Sequence, residues 1–416
     1  MRITGRIFIP GVIAIIVSLP IVAIFMPQQM TLYGIILTIM SGLTAHERKP
    51  VWHFDIGLRL DPFLIAMLAF LGYAALTALW SLDEEQTFRR WFRICGLAIL
   101  GYFAIHCSAR VAEQNAKLAW VMAASVLILF AVFVFELFTG FLAASVWQDE
   151  IAIARANLLN RPSMILGLVI WPALLVLWCR GFRWIPVLIG LSLPVAFFFT
   201  SSLGAFLAAT LACVVWAVAS IFARLCAWLI GIAFAISMIA IPILALNVPL
   251  INSGLALFAR YEFFSGAHRL GIWNFVATMI RERPLLGWGL DSARNIPQAD
   301  LPLASVLSKA VVLDYPTIPT LPLSPAMPLH PHNAALQIIL ETGVVGAALF
   351  CLAVLCLALQ LSARQNQFSA PFALASLTSW LVFVGANIGL WQSWWLTSSI
   401  VTIIFYTFPL RSNGKV

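Results

Sequence analysis

Charge is scarce in this chain: 10% of its 416 residues are Asp, Glu, Lys or Arg, against about a quarter in an ordinary soluble domain. Apolar residues make up 62%, and the mean hydropathy is +0.99. So little polar surface cannot cover a water-facing globule of this size, which excludes a soluble enzyme, a disordered chain and a nucleic-acid binder. What remains is an all-α polytopic membrane protein. Ionisable residues are also nearly missing from the middles of the apolar runs, where ion and proton carriers keep their relay groups. Glu136 and Glu341 are the exceptions, and both fall toward the outer ends of their runs. No repeat relates the two halves of the chain, as it does in many transporters. Chemistry is therefore expected at the outer membrane–water boundary and not along a central path. The seven cysteines (Cys95, Cys107, Cys179, Cys213, Cys226, Cys351 and Cys356) lie in apolar runs or at their ends. None has metal-ligand spacing, so they read as packing residues.

Apolar runs near 20 residues match the thickness of a bilayer. Twelve are expected, at 7–26, 29–45, 62–80, 92–107, 118–140, 162–179, 184–201, 203–222, 225–246, 334–360, 370–389 and 393–410. The first lacks a small-residue cleavage site and is kept as a helix, not a signal peptide. Twelve spans put both termini on one side. With that side inside, thirteen of the 24 Lys and Arg residues fall in inner segments, Lys117, Arg180 and Arg224 among them. The short outer loops hold five (Arg89, Arg90, Arg93, Arg155, Arg161), and the other six lie in one long loop. The excess in short loops orients the chain N-in and C-in. Spans at 1–246, a long outward loop at 247–333 and spans at 334–416 are expected to act as one unit.

The long loop carries the unusual residues. His268-Arg269-Leu-Gly-Ile-Trp273 opens a run with Phe275, Val276, Met279 and Ile280 at helical spacing, stopped at Pro284. It reads as an amphipathic helix at the interface, either a plain anchor or part of a site. Gly287-Trp288-Gly289 permits a tight turn. Prolines 316, 319, 322, 325, 328 and 331 recur with period three, as a straight polyproline II strap would place them on one edge. The strap delivers His330-Pro331-His332-Asn333 to the start of the next span. A histidine there can accept a proton at neutral pH. The pair also reads as a helix cap or, less favourably, as two metal ligands without a third.

Together, Arg269-Leu-Gly-Ile-Trp273, Arg283-Pro-Leu-Leu-Gly287-Trp-Gly289, His330-Pro-His332-Asn333 and Leu340-Glu341-Thr-Gly343-Val-Val-Gly346 resemble the O-antigen ligase and polymerase family of bacterial envelopes. The resemblance implies a metal-independent, cofactor-free glycosyltransferase of the inner membrane, its site facing the periplasm. The implied donor is a glycan on undecaprenyl diphosphate, and for a ligase the acceptor is a sugar hydroxyl of the lipid A core. A polymerase, with another acceptor, is the alternative; a lipid-linked glycan transporter is a more distant one. The family's loop arginine matches Arg269 and its histidine before asparagine matches His332, the expected catalytic pair. Trp273, Gly287, Gly289, Arg294, His330, Asn333 and Glu341 are expected at the substrate. The family's arginine after the seventh span is absent, because Leu203 stands in Thr200-Ser-Ser-Leu203-Gly204. Arg161, ahead of Pro162, reads either as the substitute phosphate clamp or as a snorkelling cation. Arg155 and Arg294 are further back as substitutes.

Overall fold

Polar residues that punctuate the apolar runs cap the helices. Asp61, Asp83, Ser202, Asn247 and Asn333 each accept a hydrogen bond from the backbone N–H three residues on, satisfying a donor that the first helical turn leaves open. The computed structural model describes residues 8–46, 61–140, 142, 158–200, 202–363 and 368–412. Arg2, Arg6, Arg48, Lys49, Arg59, Arg364 and Lys415, used for orientation, and Arg155 lie outside these residues. Among the described residues there are helices and no strand, only one isolated bridge between Pro302 and Pro325. The helices are α1 (Ile9–Phe25), α2 (Met30–His46), α3 (Pro62–Leu76), α4 (Glu84–Gln114), α5 (Lys117–Phe138), α6 (Asn160–Cys179) and α7 (Trp184–Phe198). Then come α8 (Leu203–Ala245), α9 (Val248–Arg260), α10 (Phe264–Glu282), the one-turn α11 (Leu303–Val306), α12 (Ala334–Leu361), α13 (Ala370–Ala386) and α14 (Ser393–Ser412). The chain is thus an all-α multi-pass membrane protein. Six stretches are long and apolar enough to cross a bilayer, and shorter apolar helices fill other expected spans.

The helix α6 is buried on every side from Pro162 to Leu177, as expected of a helix apolar all round. The 43-residue α8 is two limbs, because Phe222 leaves helical geometry (φ −126°, ψ 50°). Ser202 bonds Asn387 at the end of α13 and Trp216 meets Phe372 at its start, so the first limb runs antiparallel to α13. Arg224 donates to the Leu359 carbonyl near the end of α12, and Phe234 packs on Phe350 nearer its start. The second limb therefore climbs back beside α12. The spans expected at 203–222 and 225–246 stand, joined by a reversal around Phe222 with Arg224 just beyond it.

Three expectations change in detail. The span at 92–107 is the middle of a longer helix, α4, whose first turns reach up to the loop. The expected amphipathic helix, α10, is walled in by protein on more than one side: Ala267, Ile272, Phe275, Val276 and Ile280 are all buried. Its Asn274 donates to the Ala245 carbonyl at 2.7 Å, tying it to the end of α8. The proline strap is not a straight polyproline II helix. It folds through turns and a 3-10 turn at Leu321–Leu323. Proline's fixed φ suits turns as well as polyproline II, and turning buries Ile318, Leu321, Ala326 and Met327.

Candidate active site

Helix ends expected to face outward gather beneath the loop around a cavity of about 1280 Å³. Its walls include Gln28 from the α1–α2 turn, Arg161 from α6, Ser202 and Leu203 from α8, Arg269 and Trp273 from α10, and His330 and His332 from the strap. Ala386, Asn387 and Gln392, around the α13–α14 turn, close the far side.

The strap's end is pinned from both flanks. Trp273 Nε1 donates to the Pro331 carbonyl at 2.8 Å, and Asn333, which caps α12, donates from Nδ2 to the Gly385 carbonyl at 2.9 Å. Between these anchors His332 takes φ +54°, a left-handed conformation costing a non-glycine residue about 1–3 kcal/mol. Its Nδ1 lies 2.9 Å from the Asn387 carbonyl oxygen. A carbonyl can only accept, so Nδ1 carries the proton and Nε2 keeps its lone pair. Burial, with Arg269 and His268 adding to it, pushes the His332 pKa down to about 4 against the opposing pull of the Asn387 bond. The ring is neutral at pH 7.

Arg269 Nη1 donates to the Ala386 carbonyl at 3.0 Å. Burial lowers its pKa, yet a guanidinium stays charged at any working pH. Arg161 lines the same cavity from α6, and with the Gln28 amide turned to satisfy both its groups, Gln28 accepts from Arg161 Nη1 at 2.6 Å and Nη2 at 3.3 Å. Glu262 is the one carboxylate among the cavity-lining residues. His330 is buried, its ring centroid 4.2 Å from that of His332 with the planes inclined at 59°, and its Nε2 lies 2.8 Å from the Gln392 amide nitrogen. Burial, then His332, Arg294 and Arg269, pushes the His330 pKa down to about 3. Among the described residues no three His, Cys, Asp or Glu side chains stand together in a way that could hold a metal ion.

The structure therefore brings His332, Arg269, Arg161, Trp273 and His330 to one cavity, but not Gly287, Gly289, Asn333 or Glu341. Those four lie beneath the walls, and the exposed Arg294 reaches His330 only through its charge. The Gly-Trp-Gly turn threads a break in α12. Trp288 and Gly289 donate backbone N–H groups to the Leu340 and Glu341 carbonyls at 2.8 and 2.9 Å, and Val344 donates to Pro284 at 2.9 Å. Gly343, at φ +65° and ψ −171°, makes the break, and a Cβ there would strike the Leu285 carbonyl. At Gly287, φ +71°, a Cβ would sit 2.6 Å from the Glu341 carbonyl carbon. Gly343→Ala is expected to cost more than the roughly 1–3 kcal/mol of such a backbone conformation alone. Its apparent Tm in detergent should fall by several degrees or the protein should fail to accumulate, whereas Gly385→Ala, with open space at its Cβ, should leave both unchanged.

Sequence reasoning missed the Ala386 and Asn387 carbonyls and Gln392. The carbonyls carry no side-chain signal. Gln392 had one: it is a polar residue set among Trp391, Trp394 and Trp395 at a break between spans.

The O-antigen ligase family model matches residues 187–351, which include α10, the strap and both halves of the interlock. A relative in Rickettsia felis named "Putative polysaccharide ligase" is 26% identical over 425 residues, covering 97% of this chain and 98% of its own length. One of the same description in Rickettsia conorii is 24% identical over 349 residues, covering 84% of this chain and 80% of its own. A family domain that takes in α10 and the strap, and likeness along most of both relatives, agree with the motif order: the chain is similar to the O-antigen ligase family over its central part and to proteins named polysaccharide ligases over most of its length.

Proposed function

We propose that this protein transfers a glycan from undecaprenyl diphosphate to a sugar hydroxyl of the lipid A core, at the periplasmic face of the inner membrane. The observation that carries the reading is the pairing of His332 and Arg269 on consecutive carbonyls, Asn387 and Ala386, of one cavity wall. A neutral base and a fixed cation thereby share one frame. The acceptor oxygen attacks the anomeric carbon as its proton passes to His332 Nε2. The bond from that carbon to the phosphate oxygen breaks, and its electron pair leaves with the diphosphate. Arg269 and Arg161, which line the same cavity, meet the charge that develops there, so no metal is needed. Arg161 stands in for the arginine missing at Leu203. An apolar groove of about 420 Å³, lined by Phe198, Phe206, Leu257 and Tyr261, shares Ser202, Leu203, Phe258 and Phe263 with the cavity. It gives the polyprenyl tail a way out to lipid. The relatives' ligase names favour this reading over polymerisation.

The test is transfer by purified protein from a polyprenyl-diphosphate glycan to lipid A core, with and without a strong chelator. Transfer should continue in EDTA at an unchanged rate. Activity lost to EDTA and restored by magnesium or manganese would overturn the two-arginine clamp. A wild-type protein that consumes no donor would overturn the transfer reading.

A further inference from the structure

Glu341 is fully buried, and its carboxylate gathers donors from three parts of the chain. Oε2 accepts from the Asp291 backbone N–H at 2.9 Å and from Trp391 Nε1 at 2.6 Å, while Oε1 accepts from Gln337 Nε2 at 2.9 Å. Gln337, also buried, uses its own oxygen to accept the Leu390 backbone N–H at 2.9 Å. A second tie runs in parallel: Arg90 pairs with Asp291 at 2.8 Å and donates to the Trp391 carbonyl at 3.1 Å. The segment so held, 390–391, begins three residues past the Asn387 carbonyl, which with that of Ala386 holds His332 and Arg269, and immediately precedes Gln392, which meets His330. An acidic side chain in an apolar helix invites a role as a substrate ligand. Here every bond is internal, and none reaches the cavity.

We infer that Glu341, acting with Gln337, is a positioning residue for the transfer reaction: it locks the α13–α14 turn so that the Ala386 and Asn387 carbonyls aim Arg269 and His332 into the cavity. This inference rests on the transfer reading above. The hydrogen-bond pattern makes it sharply testable, because the pair's donors and acceptors are complementary. In Glu341→Gln alone, the new amide meets the Gln337 amide donor to donor. Turning Gln337 over only moves the clash to the Leu390 N–H. One buried donor is always left unpaired, which costs far more than a surface bond is worth. In Gln337→Glu alone, two buried carboxylates face each other, and their contact holds only where one of them takes up a proton, so this variant is measured at alkaline pH. In the double exchange, Gln337→Glu with Glu341→Gln, every bond is restored: residue 341 still accepts from Asp291 and Trp391 and now donates to residue 337, whose other oxygen takes Leu390 N–H.

Each variant would be purified in detergent and measured in two ways. Hydrogen exchange of the peptide spanning 386–392 reads the turn itself, without any activity. Turnover and KM for donor read the site. Each single exchange should speed exchange in that peptide and lower kcat, by on the order of tenfold or more. The double exchange should return both to within about threefold of wild type, which a general loss of packing would not do. The inference is overturned if the turn exchanges at the wild-type rate in Glu341→Gln, as when the Arg90 tie suffices, or if the double variant is as impaired as the singles combined. It is also overturned if exchange speeds up while kcat stays at the wild-type value. A wild-type protein without transfer activity would instead sink the transfer reading, and the exchange data would still decide whether the pair holds the turn.

Discussion

Alanine at position 332 is expected to leave the donor bound and transfer nearly stopped. In the proposed reaction His332 offers Nε2 to a proton that moves only as the acceptor attacks, so its loss should cut turnover by about 10²–10⁴-fold while the donor's dissociation constant stays near the wild-type value. The pH profile carries the same assignment. Burial holds the imidazole neutral down to about pH 4, so protonation, which disables the base, begins well below the range of an unperturbed histidine. In the free enzyme, kcat/KM should therefore stay flat from pH 7 to about pH 5 and fall only as pH drops through about 4. Bound donor brings a diphosphate whose negative charge favours the imidazolium, so the acid limb of kcat should lie at higher pH than that of kcat/KM. His330→Ala is the control two residues away. Its ring meets Gln392 and not a carbonyl, and a milder loss is expected. An acid limb of kcat/KM near 6.5 would mean that burial does not hold the imidazole neutral, and donor binding lost along with turnover in His332→Ala would make the histidine a phosphate ligand and not the base.

How far the sequence revealed this site depended on what kind of atom does the holding. The spans were legible because lipid demands about 20 apolar residues at a stretch, and Arg224 marked the reversal within α8. The histidine stood out as a proton acceptor delivered to the start of a span, whereas the loop arginine was singled out by the family resemblance. The frame was not. Asn387 and Ala386 act through carbonyls that every residue possesses. The Gly-Trp-Gly turn meets the α12 break through main-chain bonds across some 50 residues, and only the glycines hinted at it. Glu341 was visible as an oddity, but an ionisable residue in an apolar helix looks the same in sequence whether it binds substrate or braces a turn. The period-three prolines misled because a fixed φ is shared by two structures. Burial of Ile318, Leu321 and Met327 selected the turned one.

Arginine 269 should fail differently from the histidine, and the contrast separates clamp from base. One of its N–H groups is spent on the Ala386 carbonyl, and the rest of the fork is free for the donor's phosphates. In the proposed reaction that charge meets the diphosphate before the transfer as well as during it. Arg269→Ala should therefore weaken donor binding and lower turnover together. The loss in binding should be at least about 30-fold, the low end for truncating one side of a partly buried ion pair, roughly 2 kcal/mol. Arg269→Lys should recover only part of this, because an ammonium keeps the charge and loses both the fork and the reach to Ala386. Arg161 is exposed and flexible in principle, so Arg161→Ala should weaken binding less. Its role as the substitute clamp has its own check. Leu203 lines the same cavity and is 55% exposed to it or to solvent, so Leu203→Arg can enter without displacing packed neighbours. Added to Arg161→Ala, it should restore donor binding toward wild type, since either wall then supplies the second cation. Binding untouched by Arg269→Ala would remove the clamp from the mechanism. Binding that Arg161→Ala weakens but Leu203→Arg cannot restore would mean the two cations serve different parts of the donor.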